Sequence, residues 1–273
     1  MARFVVVCLL CSLLPSLALA QDPAASNPQA LTPTLASDSS AISLAQQSVA
    51  ALTGGATISD VTLTANVISI LGSDAESGTS KLLALSSGLS RVDLNLSSTT
   101  RSDIRNVSNG VPVGEWILNG GTPSPYALHN CWTDASWFFP ALSFLTQTAA
   151  PNFFFKYVGQ EQHGGTTVQH LRVFQLGSVD SSGDLRSSTL STTDFYLDAT
   201  SFLPVAMAFK VHADNDMNTD IPVEVRFGGY QGVNGVQIPF HIQRMFNGTI
   251  VLDIAVTSAT INSNPSPALF QIP

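Results

Sequence analysis

The sequence predicts an α+β fold that is mainly β, in which helices pack on one face of an antiparallel sheet of about eleven strands. The main observation is an alternation of apolar and polar residues between Asp194 and Asn262, clearest in residues 205–211 and 223–227. A period of two places one face of a strand on the core and the other in water. No strand–helix–strand alternation is evident in the sequence, so we expect hairpin connections between neighbouring strands.

The last third of the chain also contains a hairpin signal. Asn234 and Gly235 lie between Val233 and Val236, and both residue types accept the positive φ that a type I′ turn requires. We therefore expect two neighbouring strands to meet there. Because Pro239 cannot donate to a β-ladder, we expect the second strand to lie at a sheet edge or to be bulged at that residue.

Residues 1–20 have the pattern of a cleaved secretory signal peptide. Arg3 precedes an apolar run from Phe4 to Leu14, and Ala18 and Ala20 supply the small residues of a cleavage site. The sequence therefore predicts a protein of the periplasm or a secreted protein.

Residues 21–36 are rich in Pro, Ala, Ser and Thr and show no period, which predicts a flexible linker. One folded β domain is then expected over residues 37–273. With the signal peptide removed, Cys131 is the only thiol, so we expect no intramolecular disulfide and a domain held together by its core. We also expect the protein to be a monomer.

The charge balance excludes some classes of partner. The formal net charge is −8, and removal of Arg3 with the signal peptide leaves 10 basic against 19 acidic residues. Nucleic acids and anionic membrane surfaces select clustered Lys and Arg, so we expect neither as a partner.

The domain is expected to begin with a one-sided helix. Asp38 or Ser39 can cap this helix, which extends through Leu52 and ends at Gly54. The apolar residues Ile42, Ala45, Val49 and Leu52 share one of its faces. A helix of this kind is expected to lie on the sheet.

A meander of short strands follows the helix. Alternation in residues 58–67 and a turn over residues 72–78 precede four further predicted strands, which are residues 81–85, 89–96, 103–107 and 114–118. Spacing of about ten residues with turns between strands is typical of an antiparallel meander.

Residues 123–147 break this pattern with a cluster of bulky apolar side chains. The cluster comprises Trp132, Trp137, Phe138, Phe139, Leu142, Phe144 and Leu145. We expect a second helix here, capped by Thr133 or Ser136 and started or kinked at Pro140. Two interpretations stay open, because such a helix can close an ordinary core or form a lid over an apolar cavity.

A hairpin of residues 153–163 and 166–176 is expected around Gly164 and Gly165, with a further loop tip at residues 180–184. In this hairpin His163 faces Thr166, whereas His170 faces Gly159. The two histidines are then on the order of 13 Å apart, too far to share a metal ion.

The sequence lacks the common motifs of catalysis and cofactor binding. Residues 214–220 alternate oxygen side chains as a calcium loop does, but Thr219 and Val225 replace the required Gly and Glu. Cys131 is expected to be a buried, inert thiol. We expect no metal and no cofactor, and a hydrolase with dispersed catalytic residues is the least favoured hypothesis.

The order of these elements, from signal peptide to leading helix, meander, helical lid and further strands, resembles that of the LolA/LolB-like superfamily of bacterial outer-membrane lipoprotein carriers. Three turn and strand signatures strengthen the resemblance: Asp198-x-Thr200-x-x-Leu203-Pro204, the strands from Val223 to Pro239, and the closing segment from Asn262 to Phe270-x-x-Pro273. The resemblance implies an unclosed antiparallel β-barrel whose concave apolar face, capped by helices, accommodates acyl chains.

We therefore expect a non-enzymatic carrier or sensor that binds a lipid or the acyl chain of a lipoprotein, with a membrane lipoprotein as a candidate partner. Nine aromatic residues are expected to form the cavity: Trp116, Trp132, Trp137, Phe138, Phe144, Phe155, Phe209, Phe227 and Phe240. The alternative is a structural or surface-interaction β module with a filled core.

Overall fold

The structure is a computed structural model that describes residues 35–177 and 186–272. The predicted signal peptide, all of the predicted linker except residues 35 and 36, and the predicted loop at residues 180–184 lie outside the described residues. None of the helices in the described part of the chain is long and apolar enough to cross a membrane.

Thirteen strands in the described residues form one unclosed antiparallel sheet. Strands β1 to β6 are Asp60–Leu71, Asp74–Leu85, Ser90–Leu96, Thr100–Ser108, Val111–Leu118 and Ser124–Pro125. Strands β7 to β13 are Phe153–His163, Thr166–Gln175, Thr193–Asp198, Pro204–Ala213, Asp216–Val233, Val236–Phe246 and Thr249–Ile261. The expected mainly β, antiparallel and unclosed architecture is confirmed, with slightly more strands than expected.

The order of strands across the sheet runs from β6 down to β1 and then from β13 down to β7. The chain thus forms two meanders, and the first and last strands, β1 and β13, join them in the middle of the sheet. β6 and β7 lie at the two edges, so the chain between them must pass from one edge of the sheet to the other.

Three hairpin turns consist of an Asn-Gly pair with positive φ at both residues. They are Asn109-Gly110, Asn234-Gly235 and Asn247-Gly248, which connect β4 to β5, β11 to β12 and β12 to β13. The predicted turn at Asn234 is therefore confirmed. Pro239 belongs to the part of β12 that pairs with β11, whereas the pairing of β12 with β13 begins only at His241.

The turn between β1 and β2 is shorter than expected. Leu71 pairs with Asp74, so the loop is two residues long and the prediction of a turn over residues 72–78 is wrong. Residues 74–77 belong to β2 and are mostly exposed. Their polar composition is also typical of turns, which is why the turn was predicted to be longer.

Helix α1, Ser39–Thr53, confirms the predicted N-terminal helix, and Gly54 ends it in the left-handed conformation. The predicted capping is wrong, because the side chain of Asp38 makes no capping bond. Its carboxylate instead accepts hydrogen bonds from the ammonium group of Lys156 at 3.0 Å and the backbone N–H of Tyr157 at 3.1 Å. Asp38 therefore attaches the start of α1 to the edge strand β7. A second helix, α2, Arg186–Ser191, was not predicted.

Residues 126–147, which we call the roof, do not form the predicted α-helix. They contain three short 3₁₀ helices, which are Leu128–Trp132, Pro140–Leu142 and Phe144–Thr146. Side-chain oxygens compete with helical hydrogen bonds here, since Asp134 accepts from the backbone N–H groups of Ser136 and Phe144. Pro140, which lacks an N–H, also disfavours a continuous helix.

The inner, concave face of the sheet is covered in two different ways. α1 contacts β7, β8 and β12, and the last 3₁₀ helix of the roof contacts α1 and β8. Phe138, Phe139 and Leu145 of the roof are fully buried in this core. The part of the inner face beside β3 and β4 is not filled in this way, and the cavity described next lies there.

Candidate ligand-binding cavity

A cavity of about 430 Å³ lies between the inner face of the sheet and the first half of the roof. Its walls come from β3, β4, β10, β12 and β13, together with the last residues of β1 and one residue each of β2 and β5. This volume falls in the range of about 300–1,000 Å³ that is usual for small-molecule sites.

Most of the wall is apolar. Six of its residues are Val92, Leu94, Trp137, Phe209, Val211 and Leu252. The strand residues among them follow from the period of two, since the same alternation that builds the core continues into the cavity wall.

The roof is attached to the strands on both sides of the cavity. On one side, the Arg105 guanidinium donates to the carbonyl oxygens of Cys131 and Thr133, the latter at 3.1 Å. On the other side, the Asn130 amide donates to the carbonyl oxygen of His212 and accepts from its N–H, both at 2.8 Å. The roof is therefore held to β4 and β10 by directional bonds.

Hydrogen bonds of Asp134 within the roof also determine its shape. Its buried carboxylate accepts from the N–H and the hydroxyl of Ser136, both at 2.9 Å, and from the N–H of Phe144 at 3.0 Å. Burial raises the pKa of Asp134 despite these hydrogen bonds. Trp137, next to this turn, is thereby placed on the cavity wall.

One end of the cavity is polar and consists of Arg101, Asp103 and Tyr126. The guanidinium of Arg101 contacts the Asp103 carboxylate at 2.8 Å and donates to the Tyr126 hydroxyl at 3.0 Å. The same hydroxyl donates to Asp103. Burial, together with the charge of Asp103, raises the pKa of Tyr126 to about 12, so its proton is retained at neutral pH.

A third arginine, Arg244, lines the same cavity from β12. Its guanidinium carbon lies 4.7 Å from the ring centroid of Trp137 and 5.1 Å from that of Phe246. Within residues 35–177 and 186–272, no group accepts a hydrogen bond from its buried Nε–H and no carboxylate pairs with it. Burial lowers the pKa of Arg244.

The structure brings two of the nine predicted cavity residues, Trp137 and Phe209, onto the wall of this cavity. Two others, Trp132 and Phe144, line a second and smaller space of about 200 Å³. Whether these rings contact a ligand stays a prediction.

The remaining five predicted residues lie elsewhere. Phe138, Phe155 and Phe227 are buried in the core, and Phe240 packs against that core from a partly buried position. Trp116 lies on β5 opposite Asp103, with the guanidinium of Arg101 5.1 Å from its ring centroid. A search for bulky rings alone thus selects core residues together with wall residues.

The polar end of the cavity was missed at the sequence level, although a signal exists. Arg101, Asp103 and Arg105 alternate along β4, and Ile242, Arg244 and Phe246 alternate along β12. A charged residue at an inward position of such an alternation marks a polar group on the inner face.

His163 and His170, on β7 and β8, do not line this cavity. The predicted pairing of His163 with Thr166 and of His170 with Gly159 is confirmed, but the expected separation of about 13 Å is wrong, because the two side chains converge on one ring. Both imidazole rings lie against Tyr196, at centroid distances of 3.8 and 4.6 Å. Among the described residues, no group of three or more His, Cys, Asp or Glu side chains is arranged to hold a metal ion.

Residues 214–220, which alternate oxygen side chains, belong to the hairpin of β10 and β11. Asp216 follows a two-residue turn and binds the N–H of Asn218 and the hydroxyl of Thr219. Asp220 pairs instead with Lys210 and His212. The carboxylates thus have separate partners.

No protein-family model matches the chain, and no curated protein matches it in sequence. Solved structures do match. A protein domain from Vibrio parahaemolyticus, described as an outer membrane lipoprotein-sorting protein domain, is 12% identical with a TM-score of 0.53, over 85% of this chain and 96% of that one. A DUF1329 family protein from Desulfovibrio piger is 10% identical with a TM-score of 0.53, over 85% and 96% of the two chains.

A LolA superfamily protein from Nitrosomonas europaea is 11% identical with a TM-score of 0.54, over 85% of this chain and 97% of that one. At this level of identity the likeness concerns the fold, and it extends over nearly the whole length of each of these three structures. The chain therefore has a LolA-like fold.

Proposed function

We propose that this protein is an exported, non-enzymatic carrier or sensor that binds a lipid or another hydrophobic ligand in the cavity of about 430 Å³. The observation that carries the proposal is the cavity itself, with its apolar wall and its attached roof. In this proposal the protein acts as a monomer in the periplasm or outside the cell. The acyl chain of a membrane lipoprotein is one candidate ligand.

The energetics of burial support this role. Removing apolar surface from water contributes roughly 25 cal/mol per Å², so an acyl chain gains several kcal/mol without any specific contact. The fold supports it too, since one structure of the same fold is described as a lipoprotein-sorting domain and another as a LolA superfamily protein.

Two rival functions receive less support. A structural module with a filled core is not expected to leave a space of about 430 Å³ on its inner face. A hydrolase needs a nucleophile hydrogen-bonded to its base. His212 lines the cavity, but its Nε2 lies 3.0 Å from an Asp220 oxygen, and its buried Nδ1 has no hydrogen-bond partner among the described residues.

Lipid occupancy tests the proposal directly. We expect native mass spectrometry of the gently purified protein to detect co-purifying lipid, and the delipidated protein to take up a fluorescent fatty acid. Val92→Phe places a ring in the cavity, because Val92 lines its wall, and we expect it to reduce uptake at least several-fold.

Val158→Phe is the matched control, because Val158 is 51% exposed on β7 and does not line the cavity. Circular dichroism would verify that both variants are folded. A ligand-free mass together with no uptake of the fatty acid would contradict the proposal, as would equal uptake by the two variants.

A further inference from the structure

The cavity contains an arginine, Arg244, that forms no ion pair with a carboxylate of the described residues, although the charge of Asp103 stabilises its cationic form from a longer distance. Arg244 lies on the inner face of β12, between Ile242 and Phe246 in the alternation. In the part of the chain that the structure describes, its contacts are with the rings of Trp137 and Phe246, and its buried Nε–H has no acceptor. Burial of a cation without a carboxylate or hydrogen-bond acceptor is strongly unfavourable.

The acidic residues around the cavity are already engaged or lie in an exposed turn. Asp103 is bound by Arg101 and Tyr126. Glu76 accepts from the backbone N–H of Ser98 at 3.0 Å. Asp214 is exposed in the turn between β10 and β11. None of these three carboxylates forms an ion pair with Arg244.

Arg105 adds to the positive character of this region. Its guanidinium binds the roof carbonyl groups of Cys131 and Thr133, which carry no full charge, and its Nε–H has no acceptor among the described residues. The cavity of an otherwise acidic protein is thus lined by two arginines, Arg105 and Arg244, that form no ion pair with a carboxylate in residues 35–177 and 186–272.

We propose that Arg244 binds the anionic head group of an amphiphilic ligand, a carboxylate or a phosphate, whose acyl chain occupies the apolar part of the cavity. The planar guanidinium presents donors that match both head groups in a bidentate geometry. This inference rests on the proposed function, and it adds the chemical class of the ligand.

The charge preference of binding tests the inference. The probes are dodecanoate, dodecyl phosphate and dodecanol, which share one chain length and differ in the head group. Displacement of a neutral naphthylamine dye from the delipidated protein measures their affinities at about pH 8, where both anions are charged. We expect the protein to bind at least one of the anions about tenfold more tightly than dodecanol.

The variant Arg244→Gln is expected to lose this preference with little change in the affinity for dodecanol, whereas Arg244→Lys is expected to keep part of it. If Arg244→Gln does not fold, Arg244→Leu, which retains an apolar stem against Trp137, replaces it. Arg226→Gln is the matched control, since Arg226 pairs with Glu224 on the outer face, and it is expected to keep the full preference.

The comparison between dodecanoate and dodecyl phosphate identifies the head group. Equal binding of the anions and the alcohol by the unmodified protein, or an undiminished preference in Arg244→Gln, would overturn the inference and leave the proposed function in place. Failure of all three probes to displace the dye would overturn the proposed function, and this inference with it.

Discussion

Gly78 lies on β2 at a position where the backbone of β3 leaves no room for a side chain. It pairs with Leu96 on β3 and with Val67 on β1, in the middle of the first meander. A Cβ atom on Gly78 would lie 2.1 Å from the carbonyl oxygen of Asn95 and 2.7 Å from the Cα atom of Leu96. Both neighbours are backbone atoms, so they cannot rotate away as a side chain can.

We therefore expect Gly78→Ala to lower the free energy of unfolding by about 1–3 kcal/mol, because the two strands must separate to accommodate the methyl group. Urea denaturation measures this change. The control is Gly228→Ala on β11, where a Cβ atom has no neighbour within 4 Å. The control should change the free energy by no more than about 0.5 kcal/mol, and an equal loss in both variants would contradict the prediction.

At the residue scale the sequence predicts which face a strand residue occupies, and less often what that residue contacts. Phe209 and Val211 were placed on one face by alternation, and both line the cavity. Asp38 was expected to cap α1 but binds Lys156 and Tyr157 of β7. Local patterns determine the direction of a side chain, whereas its partner comes from a strand more than a hundred residues away.

At the scale of the elements, the roof is the segment whose position depends most on the hydrogen bonds of single side chains. It has little regular hydrogen bonding of its own, and Asn130 attaches it to β10 through two bonds of 2.8 Å with the backbone of His212. The side-chain amide thus takes the place of a neighbouring strand. If ligand enters through movement of the roof, this attachment contributes to the barrier.

Replacement of Asn130 by Ala leaves the N–H and the carbonyl of His212 without these partners. We expect a loss of about 1–3 kcal/mol in the free energy of unfolding and faster backbone hydrogen exchange in residues 126–137. Hydrogen–deuterium exchange with mass spectrometry measures the second effect. Asn95→Ala, on an exposed position of β3, serves as control, and unchanged exchange in the roof of Asn130→Ala would contradict the role of this residue.

The elements that the sequence predicted well are those with a local cause. α1 follows from its apolar face and Gly54, and the hairpin at Asn234 follows from its turn residues. The roof was expected to be helical because of its bulky side chains, but the bonds of Asp134 with Ser136 and Phe144 arise only once the segment is folded. An apolar cluster without a clear period therefore indicates that the segment is buried, but it does not indicate which secondary structure the segment forms.

At the scale of the whole molecule, one sheet covers both a filled region and a cavity. α1 and the later part of the roof fill the inner face near β7, β8 and β12, whereas the region beside β3 and β4 stays open. The sequence indicated a ring-rich segment above an apolar space. It did not indicate which rings face that space, since this depends on how β1 and β13 join the two meanders.

Asp60 strengthens this junction between the beginning and the end of the domain. The residue is 1% exposed at the start of β1. Its carboxylate accepts from the N–H and the hydroxyl of Ser263, at 2.7 and 2.8 Å, from the N–H of Asn264 at 3.1 Å, and from the hydroxyl of Ser59 at 2.8 Å. One carboxylate thus connects β1 to the chain that leaves β13.

Burial disfavours the charged form of Asp60, but these hydrogen bonds outweigh it and lower the pKa of the carboxyl group. A lowered pKa in the folded state means that the stabilisation is complete above the unfolded value of about 4 and is lost as the pH falls through the folded value.

We therefore expect Asp60→Ala to lower the free energy of unfolding by about 1–3 kcal/mol at neutral pH and by progressively less under acid conditions. Urea denaturation across this pH range, with Asp74→Ala in the exposed β1–β2 hairpin as control, measures the difference. A cost that does not change with pH would contradict a role for the charge of Asp60 in strengthening this junction.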